Sequence, residues 1–115
     1  MQYRYLGRYD MPLGLEDQRI ADPQITASTH YNLLCGPWNA RLHRTRGGRF
    51  GGSWCAKTKD SKQWLRIDFG APARLTRVQT QGRQDADQWV TSYTISYSKK
   101  GDGFLWYQER GRKKV

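Results

Sequence analysis

Between Pro23 and Lys59 the chain has no aspartate and no glutamate. The same stretch holds Arg41, Arg44, Arg46, Arg49, Lys57 and Lys59, together with both histidines, His30 and His43. Over 115 residues, 20 Lys and Arg stand against 10 Asp and Glu, a formal net charge of +10. A face built from the acid-free stretch attracts anionic partners: acidic glycans, anionic lipid headgroups, acidic proteins or nucleic acid. The plainer alternative is a solvated face that keeps the protein soluble.

Long apolar runs are also missing, so no segment reads as a membrane span. The start, Met1-Gln2-Tyr3-Arg4-Tyr5-Leu6, lacks the apolar stretch of a signal peptide. On its own the chain therefore reads either as cytosolic or as a piece of a longer secreted protein. Cysteine is scarce: Cys35 and Cys55 lie twenty positions apart, with no Cys-x-x-Cys to suggest a zinc or redox motif. Two readings stay open for them. One is a disulfide in an exported domain, whose loop closure would stabilise by about 3 kcal/mol. The other is a pair of half-buried thiols, each with the option of a partner beyond Val115.

Catalytic motifs are equally sparse. His30 or His43 acting as base for Cys35 would be the only nucleophilic arrangement, and no motif surrounds either histidine. Asp85 and Asp87 form a carboxylate pair, but the ligand-rich, glycine-containing spacing of a calcium loop is absent, so a solvated turn is the better reading. Gly47-Gly48-Arg49-Phe50-Gly51-Gly52 is not followed by Lys-Ser/Thr or by a helical pattern, which excludes a phosphate-binding nucleotide loop. No enzyme activity, metal or cofactor is expected.

What the chain does have is aromatic residues, five Trp and seven Tyr, which offset a low aliphatic share and argue for a folded single domain. No segment carries a useful helical repeat. Leu65, Ile67 and Phe69 alternate with Arg66 and Asp68, the pattern of a half-buried strand. Ile25–Ser28 reads as a short extended piece after an Asp22-Pro23 turn, and Leu75–Thr80 as a strand. Trp89 to Tyr97 reads as the clearest strand, with Trp89, Thr91, Tyr93, Ile95 and Tyr97 on a core-facing side. A hairpin loop at Lys99–Gly103 leads to a return strand starting at Phe104. Residues 1–10 read as a leader without a strand. The fold class is all-β, a sandwich or barrel.

Two loops stand out. His30 to Trp38 has an apolar tip in Tyr31, Leu33, Leu34 and Trp38, and clusters of this kind mark contact surfaces when they are exposed. The alternative is that Trp38 packs beneath the loop while Leu33 and Leu34 plug one end of a barrel. Arg44 to Gly52 is basic and glycine-rich, with Phe50 as its one aromatic residue. Together they read as a surface that inserts apolar side chains while Arg46 and Arg49 hold an anionic rim. A basic nucleic-acid or polyanion-binding domain is the second reading; it is weakened because Trp89, Tyr93 and Tyr97 are expected in the core.

Seven blocks in order carry a family resemblance: Pro12-Leu13-Gly14-Leu15-Glu16-Asp17, Ile25-Thr26-Ala27-Ser28, Ala40-Arg41-Leu42, Gly52-Ser53-Trp54-Cys55, Gln63-Trp64-Leu65-Arg66-Ile67-Asp68-Phe69-Gly70, Thr80-Gln81-Gly82-Arg83 and Trp89-Val90-Thr91-Ser92-Tyr93. In these the chain resembles the discoidin domain, also called the coagulation factor V/VIII C-type domain. The resemblance implies a galactose-binding-like jelly-roll β-barrel over residues 11–115, lacking its last strands at the C-terminus. It implies an extracellular or cell-surface location within a longer secreted or membrane protein. It also implies a non-enzymatic recognition or adhesion role, with peripheral membrane contact among the options. Ligands in the family are cell-surface glycans, anionic phospholipid, and matrix or receptor proteins, bound by loops at one end of the barrel. By resemblance these loops are His30–Trp38, Arg46–Gly51 and Arg83–Gln88, which adds Arg83 to the candidate contacts. The family's usual first cysteine is replaced here by Tyr9 or Asp10. The first loop is short and contains Cys35, not a usual residue there in the family, and a Cys35–Cys55 bond pinning that loop to the strand after the second is the bridge expected here.

Overall fold

The computed structural model describes residues 11–47 and 51–108, together with the backbone of strands reaching over 2–6, 108–109 and 112–113. The described strands, in chain order, are β1 (Gln2–Leu6), β2 (Ile25–Ala27), β3 (Leu65–Ile67), β4 (Arg77–Gln81), β5 (Ser96–Tyr97), β6 (Leu105–Trp106), β7 (Gln108–Glu109) and β8 (Arg112–Lys113). They pair as four antiparallel two-stranded ladders: β1 with β4, β2 with β3, β5 with β6, and β7 with β8. Among the described residues the helical elements are single 3-10 turns at Asp22–Gln24, Leu33–Cys35 and Pro37–Asn39. The fold is all-β.

The β2–β3 ladder forms where the alternation is clearest. Leu65, Ile67 and Phe69 are half-buried while Arg66 and Asp68 are exposed, as period-two spacing requires. Ile25 faces Ile67 and Ala27 faces Leu65. The pairing extends past the strands: Asp68 N–H donates to the Gln24 carbonyl at 2.8 Å and Ser28 N–H to the Trp64 carbonyl at 3.0 Å. The Asp22-Pro23 turn feeds this ladder. Gln24 closes the turn by accepting from the Ala21 N–H at 2.8 Å and donates its amide to the Asp68 carbonyl at 2.8 Å. The core lies over this ladder, with Leu15, Ile20, Ile25, Ala40 and Trp54 buried and Leu13, Phe69 and Val78 packed against them.

Four expectations need correction. Residues 1–10, read as a leader without a strand, contribute β1. Tyr3 and Tyr5 alternate with Gln2 and Arg4 in the sequence, and β4 offers a row of backbone groups that need partners. The long strand expected from Trp89 to Tyr97 is reduced to Ser96–Tyr97. Among the described residues no ladder reaches 89–94, and β propensity without a paired neighbour does not make a strand. The face expected in the core is open: Trp89 is 68% exposed and Tyr97 54%. Trp64 is exposed as well, with the Arg66 guanidinium 5.3 Å from its ring centroid and 4.7 Å from that of Phe104. Finally, Arg41 is not part of a basic surface. It is 1% exposed and holds the fold from inside.

Candidate functional site at the loop junction

Loop 1 (residues 30–38) is shaped by its own side chains. Asn32 caps the first 3-10 turn, its Oδ1 accepting from the Leu34 N–H at 3.0 Å. Pro37 opens the second, and the buried Asn39 donates back to the Leu34 carbonyl at 2.9 Å. These bonds turn Tyr31 and Leu33 outward, 68% and 76% exposed, and leave Leu34 half-buried. Trp38 turns the other way. Its ring edge meets His30 at 5.7 Å between centroids and lies over Gly36, where a Cβ would come within 2.2 Å of the indole.

Loop 2 (residues 46–51) approaches loop 1 through a glycine. A Cβ on Gly51 would sit 1.5 Å from the Leu34 carbonyl oxygen, so only glycine allows this contact of the two backbones. Loop 3 (residues 83–88) is closed by Arg83 N–H donating to the Gln88 carbonyl at 2.9 Å. It is tied to loop 2 by charge. Asp85 Oδ1 lies 2.8 Å from Arg83 Nε, and its Oδ2 lies 3.8 Å from Arg46 Nη1. The hydrogen bond from Arg83 holds the Asp85 carboxyl below its ordinary range, and the same bond raises Arg83.

The three loops enclose a cleft of about 130 Å³ lined by Asn32, Leu34, Cys35, Arg46, Gly51, Gly52, Ser53 and Arg83. Of the residues singled out in the sequence, Leu34, Arg46, Arg83 and Cys35 line this one cleft. Tyr31 and Leu33 project from the loop that forms its wall. Trp38 lines a separate, shallower hollow with His30, Pro37 and Ile25. Arg49 and Phe50 lie outside the described residues.

Cys35 and Cys55 are brought together and both are free thiols. The Cys55 N–H donates to the Cys35 carbonyl at 3.1 Å. Burial pushes the Cys35 thiol up to about 11, and the neighbouring Cys55 thiol adds to this. Neither histidine serves Cys35: His43 Nδ1 lies 3.1 Å from Glu16 Oε1, and His30 packs on Trp38. Asp85, read as a solvated turn, is instead the clamp between two loops. The two-residue spacing of Arg83 and Asp85 within one turn was the available signal. Among the described residues no group of three or more His, Cys, Asp or Glu is placed to hold a metal ion.

Two arginines and one aspartate leave the cleft rim with a net positive charge beside an outward apolar tip. The geometry is a positively charged cleft formed by loops on an all-β scaffold. Residues 24–114 match the F5/8 type C domain, and the chain belongs to that family. It is 37% identical over 109 residues to lactadherin of Rattus norvegicus, covering 90% of this chain and 26% of that protein. It is 38% identical over 91 residues to retinoschisin of Mus musculus, covering 77% of this chain and 41% of that protein. It is 37% identical over 102 residues to coagulation factor V of Mus musculus, covering 86% of this chain and 5% of that protein. The chain thus spans well under half the length of each of these relatives. Among the described residues no helix is long and apolar enough to cross a membrane.

Proposed function

We propose that the chain is a non-enzymatic recognition and adhesion module, acting outside the cell or at its surface, that docks on an anionic ligand through its three loops. The observation that carries this reading is the convergence of Leu34, Arg46 and Arg83 on one cleft, with Tyr31 and Leu33 exposed on the loop that supplies one of its walls. Of the ligand classes (glycan, anionic phospholipid, matrix or receptor protein) the arrangement favours anionic phospholipid. An apolar tip enters the boundary between headgroups and acyl chains, and guanidinium forks hold the phosphate or carboxylate of the headgroup.

The test is cosedimentation with vesicles of phosphatidylcholine alone or mixed with phosphatidylserine. Binding is expected only to the anionic vesicles. Replacing Leu33→Ser and Leu34→Ser together is expected to weaken it by about tenfold or more, from the loss of buried apolar area. Unchanged binding by that variant removes the reading.

A second reading, a basic nucleic-acid or polyanion binder, is favoured by a different observation. Trp89, Tyr93, Tyr97 and Trp106 are exposed, and Arg66 lies over Trp64 and Phe104. Exposed aromatic faces with nearby guanidinium groups are what unpaired bases stack on. Binding to single-stranded DNA that survives the double leucine variant but is lost in Trp89→Ala, and that falls steeply with salt, would assign the activity there.

A further inference from the structure

Cys35 ends the 3-10 turn of loop 1, and Cys55 lies in the segment that leaves loop 2, directly after the buried Trp54. The 3.1 Å bond from the Cys55 amide to the Cys35 carbonyl sets the two residues opposite each other. The bond is one-sided, since the Cys35 amide donates to the Asn32 carbonyl at 3.0 Å, but it holds the two cysteine backbones side by side, the closeness that a disulfide requires. The Tyr31 amide donates to the Cys55 carbonyl at 2.9 Å, so loop 1 grips Cys55 on both sides of its peptide. The two thiols are within hydrogen-bonding reach of each other.

The pair is asymmetric. Cys35 is buried and its thiol resists ionisation. Cys55 is half-buried, Arg83 Nη1 points at its Sγ from 3.9 Å, and Ser53 Oγ lies 3.5 Å from the same sulfur. Cys55 is therefore the sulfur that a small oxidant in solvent reaches first, and the Arg83 guanidinium beside it attracts an anionic one.

We propose that Cys35 and Cys55 form a redox-responsive dithiol under the cleft, closing to a disulfide with Cys55 as the attacking sulfur and a small disulfide such as oxidised glutathione as oxidant. The Cys55 thiolate attacks one sulfur of the oxidant. The oxidant's S–S bond breaks, one small thiolate leaves and is protonated, and Cys55 is held as a mixed disulfide. Cys35 then gives its proton to solvent and attacks the Cys55 sulfur, expelling the second small thiolate, which is also protonated. Two protein thiols are oxidised and one small disulfide is reduced to two thiols. The product joins loop 1 covalently to the segment behind loop 2. Cys35 lines the cleft, so the freedom of the cleft wall then depends on redox state, whichever ligand the cleft takes.

The experiment equilibrates the purified chain in glutathione buffers of graded ratio, with and without concentrated urea, followed by an acid quench, alkylation and mass measurement. Under native oxidising conditions the chain is expected to lose the mass of two hydrogen atoms and to carry neither alkyl groups nor glutathione. The native bridge is expected to form at a glutathione ratio about tenfold or more further toward reducing than the bridge formed in urea. Cys35→Ser is expected to stop at a single glutathione adduct on Cys55. Arg83→Gln is expected to slow the first step by about threefold or more and leave the end point unchanged. Two alkylatable thiols in the native oxidised chain, adducts on both cysteines, or coincident native and urea titrations overturn the proposal. An unchanged rate in Arg83→Gln removes Arg83 from it.

Discussion

Arg41 Nη2 lies 2.6 Å from Asp22 Oδ1, and the same guanidinium donates from Nη1 to the carbonyls of Leu15 (2.6 Å) and Ile20 (2.8 Å) and from Nε to that of Trp38 (3.1 Å). The arginine is buried while Asp22 stays half exposed. One cation of the acid-free stretch therefore ties the segment before β2 to the end of loop 1. Its fork of donors matches three carbonyls and one carboxylate at once, which an ammonium group cannot do.

Truncating Arg41→Ala is expected to cost about 3 kcal/mol in urea unfolding, because three carbonyls lose their donors and a cavity opens. Asp22→Asn is expected to cost about 1 kcal/mol or less, since that carboxylate is half in water. Equal losses would show that the ion pair, and not the carbonyl cage, is the anchor.

Gly51→Ala is expected to destabilise by about 2 kcal/mol or more, because the new Cβ collides with the Leu34 carbonyl and one loop backbone must shift. Gly47→Ala, with nothing within 4 Å of its added Cβ, is the matched control and is expected to stay within about 0.5 kcal/mol of the parent. The paired comparison is made by thermal or urea unfolding. Indistinguishable curves for the two variants would deny the contact between loops 1 and 2.

The Asp85 clamp carries a pH dependence with a defined sign. The folded carboxyl titrates below its ordinary value of 3.8, chiefly through the hydrogen bond from Arg83. Its contribution is therefore fully present above that ordinary value and is lost as pH falls through the lower folded value. The stability difference between the parent and Asp85→Asn is expected to be constant at neutral pH and to shrink only in acid, below the ordinary value. A difference that already closes between neutral pH and the ordinary carboxylate range would contradict the clamp.

Trp54 and Trp89 separate the core from the open aromatic face. Trp54 is buried, with its indole N–H donating to the Thr29 carbonyl at 2.9 Å. Trp54→Ala is expected to cost about 3–5 kcal/mol, and Trp89→Ala to change stability by about 0.5 kcal/mol or less. Iodide quenching of tryptophan fluorescence provides a second check. Removing Trp89 is expected to lower the quenchable fraction, and removing Trp54 to leave the quenchable emission in place.

Legibility from sequence followed how local each cause was. The β3 strand could be read because alternation over Leu65, Ile67 and Phe69 is itself the burial pattern. Loop 1 could be read as a loop because Asn32, Gly36 and Pro37 act on their immediate neighbours. Trp89 to Ile95 had equally good alternation and failed, because a strand needs a partner and the pattern carries no information on whether one runs beside it. The leader at 1–10 failed in the opposite sense, with β4 supplying a partner that lies far away in sequence.

The candidate site divides in the same way. Its loops, its excess of Arg over Asp and Glu, and its family were set out in residue order, because turn chemistry, composition and motif spacing are properties of the covalent chain. Which arginines remain at the surface was decided in three dimensions. Arg41 withdraws to Asp22 and three carbonyls, while Arg46 and Arg83 share Asp85. The acid-free stretch is neutralised in part by acids from outside it, because charges and hydrogen-bond donors select partners by distance through space and not by separation along the chain.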